Sequence, residues 1–331
     1  MTAATNVGLV RTNNEDNFIV CPDLSSPDNW SVPEETNTKF SVGGNGSLMI
    51  VADGMGGMNA GEVASQTAVD SIREVFQSVD DFGGIIDSSN HIEAFMKKAI
   101  VKADNDIKKK VEEDPSTSGM GTTVVMAWII GKVVHVAWCG DSRAYLFNRK
   151  IGLSRLSRDH SYVQELVDSG KLDPELAFDH PNSNIITRSL GDFPGNAKPD
   201  YVCKGISEGD MIILCSDGLC GLVRDEEIVD ILMPEQESID DYRDVLFNGA
   251  LEAGGHDNIT IAITECVQVD EPELTKTLGS TESVKPRKSG WLWVLFVILL
   301  LLAGVAYWGY RTGKVRFSKD APFIHYVSEV E

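Results

Sequence analysis

Positive charge is scarce in this chain: 29 Lys and Arg stand against 50 Asp and Glu over 331 residues, a formal net charge of −21. Neutralising a phosphate backbone needs clustered cations, so no nucleic-acid partner is expected. Cysteine is sparse and unpatterned. Cys21, Cys139, Cys203, Cys215, Cys220 and Cys266 form no CxxC pair, which argues against a disulfide framework and for reduced, buried thiols in a cytoplasmic compartment. The first ten residues, MTAATNVGLV, lack a basic start and a long apolar run, so no cleavable secretory signal is expected. A GxxxxGKS/T phosphate loop, a GxSxG elbow and an HExxH pair are all missing, and the glycines of DGMGG do not match GxGxxG. Nucleotide binding is therefore not supported.

What is present describes a chain that folds. Hydrophobic residues make up 42% and charged residues 24%, and the length admits one large core. The charge is unevenly spread, at −25 over residues 1–284 and +4 over 285–331. Four regions follow: a folded domain at 1–267, a polar linker at 268–290, an apolar segment at 291–310 and a short basic tail at 311–331. Residues 291–310, WLWVLFVILLLLAGVAYWGY, carry no charge and have aromatic residues near both ends. At 1.5 Å rise per residue, twenty residues reach ~30 Å, the thickness of a bilayer core, so a single transmembrane helix in the lipid bilayer is expected.

Within 1–267, strand-like runs lie at 48–52, 122–130, 133–138, 144–147, 211–215 and 259–264. Turn signals at Gly131-Lys132 and at Asn148-Arg149-Lys150 make the sheets antiparallel. Helical periodicity marks 60–79, 91–111, 225–232 and 241–253. Strands and helices do not alternate as βαβ units, so the class is α+β, with helices packed outside antiparallel sheets. A long polar connection, 22–47, joins two early strands.

Several acidic residues sit where a strand gives way to a turn. LMIVADGMGG delivers Asp53, MIILCSDGL delivers Asp217, AWCGDSRAY carries Asp141, GGHDNITIAIT opens with Asp257, and RTNNEDNF holds Glu15 and Asp16. A single Asp-Gly is ordinary turn chemistry. Gathered in one domain, these carboxylates repel one another at low dielectric unless cations join them, and hard divalent cations prefer such oxygen ligands. A two-metal centre accounts for them.

The ordered set of motifs resembles the metal-dependent serine/threonine phosphatases of the protein phosphatase 2C type, in their bacterial form. These motifs are Arg11-Thr-Asn-Asn-Glu15-Asp16, Ala52-Asp53-Gly54-Met55-Gly56-Gly57, Gly61-Glu62, Gly119-Met-Gly121-Thr122-Thr123, Gly140-Asp141-Ser142-Arg143, Ser157-Arg158-Asp159-His160-Ser161, Ser216-Asp217-Gly218 and Asp257-Asn258. The resemblance covers about residues 4–265. It implies a central β-sandwich of two antiparallel sheets with helices on both outer faces, a four-layer αββα arrangement.

It also implies roles. Asp53 resembles the carboxylate that bridges two Mn²⁺ or Mg²⁺ ions, and the Gly54 carbonyl a ligand of one of them. Asp217 and Asp257 resemble ligands of the other. Asp16 resembles the residue holding a metal-bound water, Glu15 a ligand or neighbour on the opposite metal, and Asp141 the aspartate of a third metal, sharing Asp217. Arg11 resembles the phosphate-binding arginine, which suits a planar fork. The reaction so implied is hydrolysis of phosphoserine or phosphothreonine by a metal-bridging hydroxide, with no phosphoenzyme. Where eukaryotic members carry a His near the bridging Asp, this chain has Met55 and Met58. His160 has two readings, a helper in catalysis or a brace for the segment at 162–184, which resembles the family's flap.

The partners so implied are phosphorylated proteins and a serine/threonine kinase. The expected location is the cell membrane, with the catalytic domain cytoplasmic, one span, and 311–331 outside. Two other readings are a catalytically dead scaffold, which would have lost metal aspartates that are all present here, and a hydrolase of small phosphate esters.

Overall fold

The computed structural model describes residues 1–26, 30, 40, 42–56 and 60–267, together with two short strands near the carboxyl end. The chain divides into two compact units, Met1–Asp270 and Glu271–Glu331. In chain order the first unit contains β1 (Thr2–Asn6), β2 (Asp16–Cys21), β3 (Ser47–Met55), α1 (Ala60–Gln77), α2 (Gly83–Ile86) and α3 (Ser89–Glu113). These are followed by β4 (Gly121–Thr122), β5 (Val124–Ile130), β6 (Val133–Cys139), β7 (Arg143–Asn148), β8 (Gly152–Arg155), α4 (Tyr162–Asp168) and β9 (Asp200–Gly205). The unit closes with β10 (Met211–Cys215), α5 (Asp217–Cys220), α6 (Asp225–Leu232), α7 (Ile239–Glu252) and β11 (Ile259–Glu265). In the second unit, β12 (Val315–Arg316) pairs antiparallel with β13 (His325–Tyr326).

The first unit holds two antiparallel sheets, one ordered β1-β11-β10-β7-β8 and the other β2-β3-β5-β6-β9, with β4 paired to the extension of β3. Side-chain alternation explains their stacking. Along β3, Leu48, Ile50 and Ala52 pack with α1 and α3 residues such as Ile72, Phe76 and Ile100, whereas Met49 and Val51 join the core between the sheets. Along β10, Ile212 and Leu214 enter that central core, and Met211, Ile213 and Cys215 face Leu219, Ile228 and Leu246 from α5, α6 and α7. Both faces of each central strand are covered, so the α+β sandwich with outer helices stands as expected.

The expected strands at 48–52, 133–138, 144–147, 211–215 and 259–264 each fall inside an observed strand, and the four helical stretches correspond to α1, α3, α6 and α7. The run 122–130 is corrected to two strands. Thr123 leaves the ladder to donate its N–H to the Asp53 carbonyl (2.9 Å), and β4 then pairs with Gly54 and Met55. The strands without a distinct sequence signal, β1, β2, β8 and β9, are the four sheet edges. An edge strand is half solvated and needs no continuous apolar run. All six cysteines are free; Cys203 is exposed, unlike the buried thiols expected. The expected transmembrane helix at 291–310 and the linker at 268–290 lie outside the described residues. Among the described residues no helix is long and apolar enough to cross a membrane. Much of the 22–47 connection and most of the 311–331 tail also lie outside them.

The outer core of the β2-side sheet is anchored by aromatics. The Phe76 ring centroid lies 5.1 Å from Trp128 and 4.9 Å from Phe95, both edge-on, and Phe76 is 1% exposed. Phe76→Ala is expected to lower the unfolding free energy by about 3–5 kcal/mol, since the rigid strand beneath cannot collapse into the cavity. Urea denaturation checks this, and a loss below about 1 kcal/mol would show the cluster to be loosely packed.

Candidate active site

In an antiparallel pair the start of one strand lies beside the end of the other. Asp16, opening β2, therefore stands directly opposite Asp53 near the end of β3. In the other sheet Asp217 follows β10 and Asp257 precedes its partner β11. Asp141 lies between β6 and β7, where the chain crosses from one sheet to the other. Topology thus brings all five aspartates to one end of the sandwich.

Backbone approach at this end is close. A Cβ at Gly54 would strike the carbonyl oxygens of Gly61 and Glu15, so only glycine lets β3, the Glu15 turn and the start of α1 converge. Gly140 has φ +125° and lies against the Thr123 side chain, which shapes the turn that presents Asp141. Thr122 Oγ1 donates to the Asp53 carbonyl (2.9 Å), and Thr123 Oγ1 accepts the Asp53 N–H (3.2 Å).

The carboxylates are strained electrostatically. Burial, together with Asp217, Asp16 and Asp141 nearby, pushes Asp53 well above the usual carboxylate range. Asp16 is pushed up to about 8 by burial, against hydrogen bonds from Thr260 and Ser216 that favour its charged form. Burial and neighbouring aspartates likewise raise Asp141 and Asp217. Among the described residues no three His, Cys, Asp or Glu side chains already close around a common point as an ion site. The donor set nevertheless fits hard divalent cations: carboxylate oxygens and a glycine carbonyl, without thiolate or imidazole.

Two polar residues without assigned roles hold this end together. Ser216 Oγ donates to Asp16 Oδ2 (2.7 Å) and accepts the Thr260 N–H (2.9 Å), so one buried hydroxyl ties an acid of one sheet to the backbone of the other. The Asn258 side-chain amide donates to the carbonyls of Val7 (3.0 Å) and Asn13 (2.9 Å), and its oxygen accepts the Glu15 N–H (2.8 Å). Asn258 thereby pins the loop that carries Arg11 and Glu15. Their signal in the sequence was a polar residue abutting a buried strand, MIILC for Ser216 and ITIAIT for Asn258.

Arg11 reaches the site, with Nη2 donating to Asp257 Oδ2 at 2.7 Å. That hydrogen bond raises the guanidinium pKa further. Glu15 is half-buried, and burial raises its carboxyl as well, with Arg11 opposing. Both ring nitrogens of His160 are engaged: its Nδ1 accepts the Gly140 N–H (3.1 Å), its Nε2 lies 3.0 Å from Asp200 Oδ2, and its ring stacks on Trp138. Burial lowers its pKa. Asp141, Asp217 and Asp257 line a cleft of about 380 Å³ with Val163, Phe178 and Asn184 of the 162–184 segment. Beneath it, Arg143 donates to Asp159 Oδ2 (2.8 Å) and contacts Asp225 Oδ1 (3.3 Å).

The family model described as Protein phosphatase 2C matches residues 4–259. Serine/threonine phosphatase stp of Listeria monocytogenes is 34% identical over 232 residues, 70% of this chain and 89% of that protein. Protein phosphatase PhpP of Streptococcus pneumoniae is 33% identical over 266 residues, 80% of this chain and 97% of that one. The catalytic domain of the serine/threonine protein phosphatase PstP, solved in complex with two manganese ions, superposes with a TM-score of 0.62 at 30% identity. That superposition covers 81% of this chain and 97% of the other.

Ser216→Ala is expected to cost about 1–3 kcal/mol, because it strands the buried Thr260 N–H and removes a donor from Asp16. Urea unfolding in EDTA measures it. A change within about 0.5 kcal/mol would mean that the two sheets are not joined through this hydroxyl.

Proposed function

The chain belongs to the protein phosphatase 2C family and is a serine/threonine protein phosphatase, and we propose that it hydrolyses phosphoserine and phosphothreonine with two divalent cations, Mn²⁺ or Mg²⁺, held by the aspartate cluster. The supporting observation is the convergence of Asp16, Asp53, Asp141 and Asp217 on one another from both sheets, each raised by burial and by neighbouring acids. A protein gains nothing from crowding like charges unless opposite charge joins them.

In this reading Asp53, the Gly54 carbonyl, Asp217 and Asp257 would hold the two cations, with Asp53 placed to be shared between them. Asp141 offers a place for a third ion beside Asp217, and Glu15 supports the opposite side. Two bound cations supply an acidified water nucleophile and offset charge on the phosphoryl oxygens. Asp16, fixed by Ser216, would accept a hydrogen bond from a nucleophile held there. Arg11 is held to Asp257 and stands 52% exposed, so its fork can pass from carboxylate to substrate phosphate. The leaving alkoxide takes its proton from solvent in the cleft, since His160 is committed to Gly140 and Asp200.

The physiological setting completes the proposal. The uncharged stretch at 291–310 anchors the enzyme in the cell membrane with its catalytic domain on the cytoplasmic side, where ATP-dependent kinases make its phosphoprotein substrates. Intact aspartates favour an active enzyme over a scaffold.

Asp53→Asn tests the metal role. Phosphopeptide turnover with Mn²⁺ should fall by at least about 100-fold, a loss of about 2.7 kcal/mol in transition-state stabilisation. Wild type should gain about 2.7 kcal/mol of stability at 100 times the Kd for Mn²⁺, and the variant should lose most of that gain while melting higher in EDTA. Turnover above a tenth of wild type, or an unchanged Mn²⁺ gain, would remove Asp53 from the bridging position.

Arg11→Ala should lower kcat/KM for phosphopeptides by about 10-fold or more, while Mn²⁺ affinity by calorimetry holds or tightens as Asp257 is released. Weaker Mn²⁺ binding would instead place Arg11 in support of the cluster.

A further inference from the structure

Residue Arg224 precedes α6 in an extended conformation (φ −68°, ψ 155°), where a Ser, Thr, Asp or Asn would accept a hydrogen bond from the first turn. Arginine has no acceptor oxygen and makes no such cap, although Glu227 accepts its backbone N–H at 2.8 Å. Its side chain instead reaches across the cleft to the 162–184 segment. The guanidinium carbon lies 4.1 Å from the centroid of the Phe178 ring, and Nη2 is 2.5 Å from Asp179 Oδ2.

Among the described residues lining the cleft, the cations are Arg143, Arg155 and Arg224. Arg143 is committed to Asp159, Asp225 and the Tyr145 hydroxyl, and Arg155 to Asp159 and the Ser157 carbonyl. Arg224 differs. Its side chain is 37% exposed, and that of Asp179 is 73% exposed. Such a solvent-exposed pair is weak and is exchanged readily. The Phe178 face holds the guanidinium in place independently of Asp179. A pre-positioned cation with a replaceable carboxylate partner is what a recognition site for a second carboxylate requires.

We propose that Arg224, seated on Phe178, is a specificity-determining residue that pairs with one acidic side chain flanking the phosphoresidue of a protein substrate, displacing Asp179. The neighbouring lining residues Glu175, Asp225 and Glu226 are acidic, so Arg224 defines one position at which a substrate carboxylate is attracted while others are repelled. This rests on the phosphatase reading above.

The test scans a single Glu, Ala or Lys along both sides of phosphothreonine in a peptide series, using the full chain with Mn²⁺. Wild type should show, at one position, a kcat/KM about five-fold higher for Glu than for Ala. The ratio should fall to about one in Arg224→Ala, stay intermediate in Arg224→Lys, which keeps the charge without the planar stack, and rise in Asp179→Asn, which lacks the internal competitor. Should Arg224→Ala fail to fold, the Lys and Asp179 variants carry the test. A flat scan in an enzyme that hydrolyses both these peptides and p-nitrophenyl phosphate would overturn the role of Arg224 alone. A Glu preference that survives in Arg224→Ala would do the same. Failure of wild type on every phosphorylated substrate would overturn the phosphatase reading as well.

Discussion

Repulsion among buried carboxylates is the constraint on which this end of the molecule depends. Asp16 and Asp53 lie side by side in one sheet, while Asp217 and Asp141 come from the second sheet and from the crossover between the two. Burial raises their pKa values, and nearby acids add to the effect. The surrounding hydrogen bonds, from Ser216 to Asp16 and from Arg11 to Asp257, counter that repulsion with neutral or cationic donors. Such networks matter most where water is excluded. The fold thus spends stability to keep a cluster of hard oxygen donors in place.

The sandwich architecture makes this tolerable. Its central core of Met49, Val51, Val125, Ile212 and Leu214 and its outer clusters beneath the helices supply apolar burial far from the acids. The rigid strands then fix the backbone of Asp53 through Thr122 and Thr123. A second polar network, Arg143 with Asp159, Asp225 and Tyr145, sits at the base of the cleft and connects β7 to the start of α6. Burial opposes ionisation of Asp159, but Arg143 and Arg155 outweigh it and hold that carboxyl below its ordinary range. The balance is opposite to that of the metal-site aspartates, which have few cations beside them. Two groups of acids thus meet at the cleft, one satisfied by arginine and the other crowded with few cations beside it.

The central strands were legible because they are covered on both faces and read as apolar runs, as in IILC of β10 or VVMAWII of β5. The edge strands were not, since TAATN and GLSR carry no such run. The division of 122–130 escaped notice because Thr123 leaves the ladder to serve a residue seventy positions away. Aspartates at strand ends were visible from their Gly-containing turns. The supporting roles of Ser216 and Asn258 were not, because a single hydroxyl or amide has no local signature of what it will bind.

By itself the sequence determined the acidic strand ends, their order, the α+β class and the family resemblance carried by its motifs. These follow from local patterns: apolar runs, Gly turns and the identity of side chains. Only tertiary structure decided that Asp16 faces Asp53, that Arg11 rests on Asp257, that His160 accepts the Gly140 N–H, and that Arg224 crosses to Phe178. Each of these contacts joins segments from 20 to 246 residues apart. Strand register and loop closure set such distances, and both are properties of the packed whole rather than of any stretch of chain.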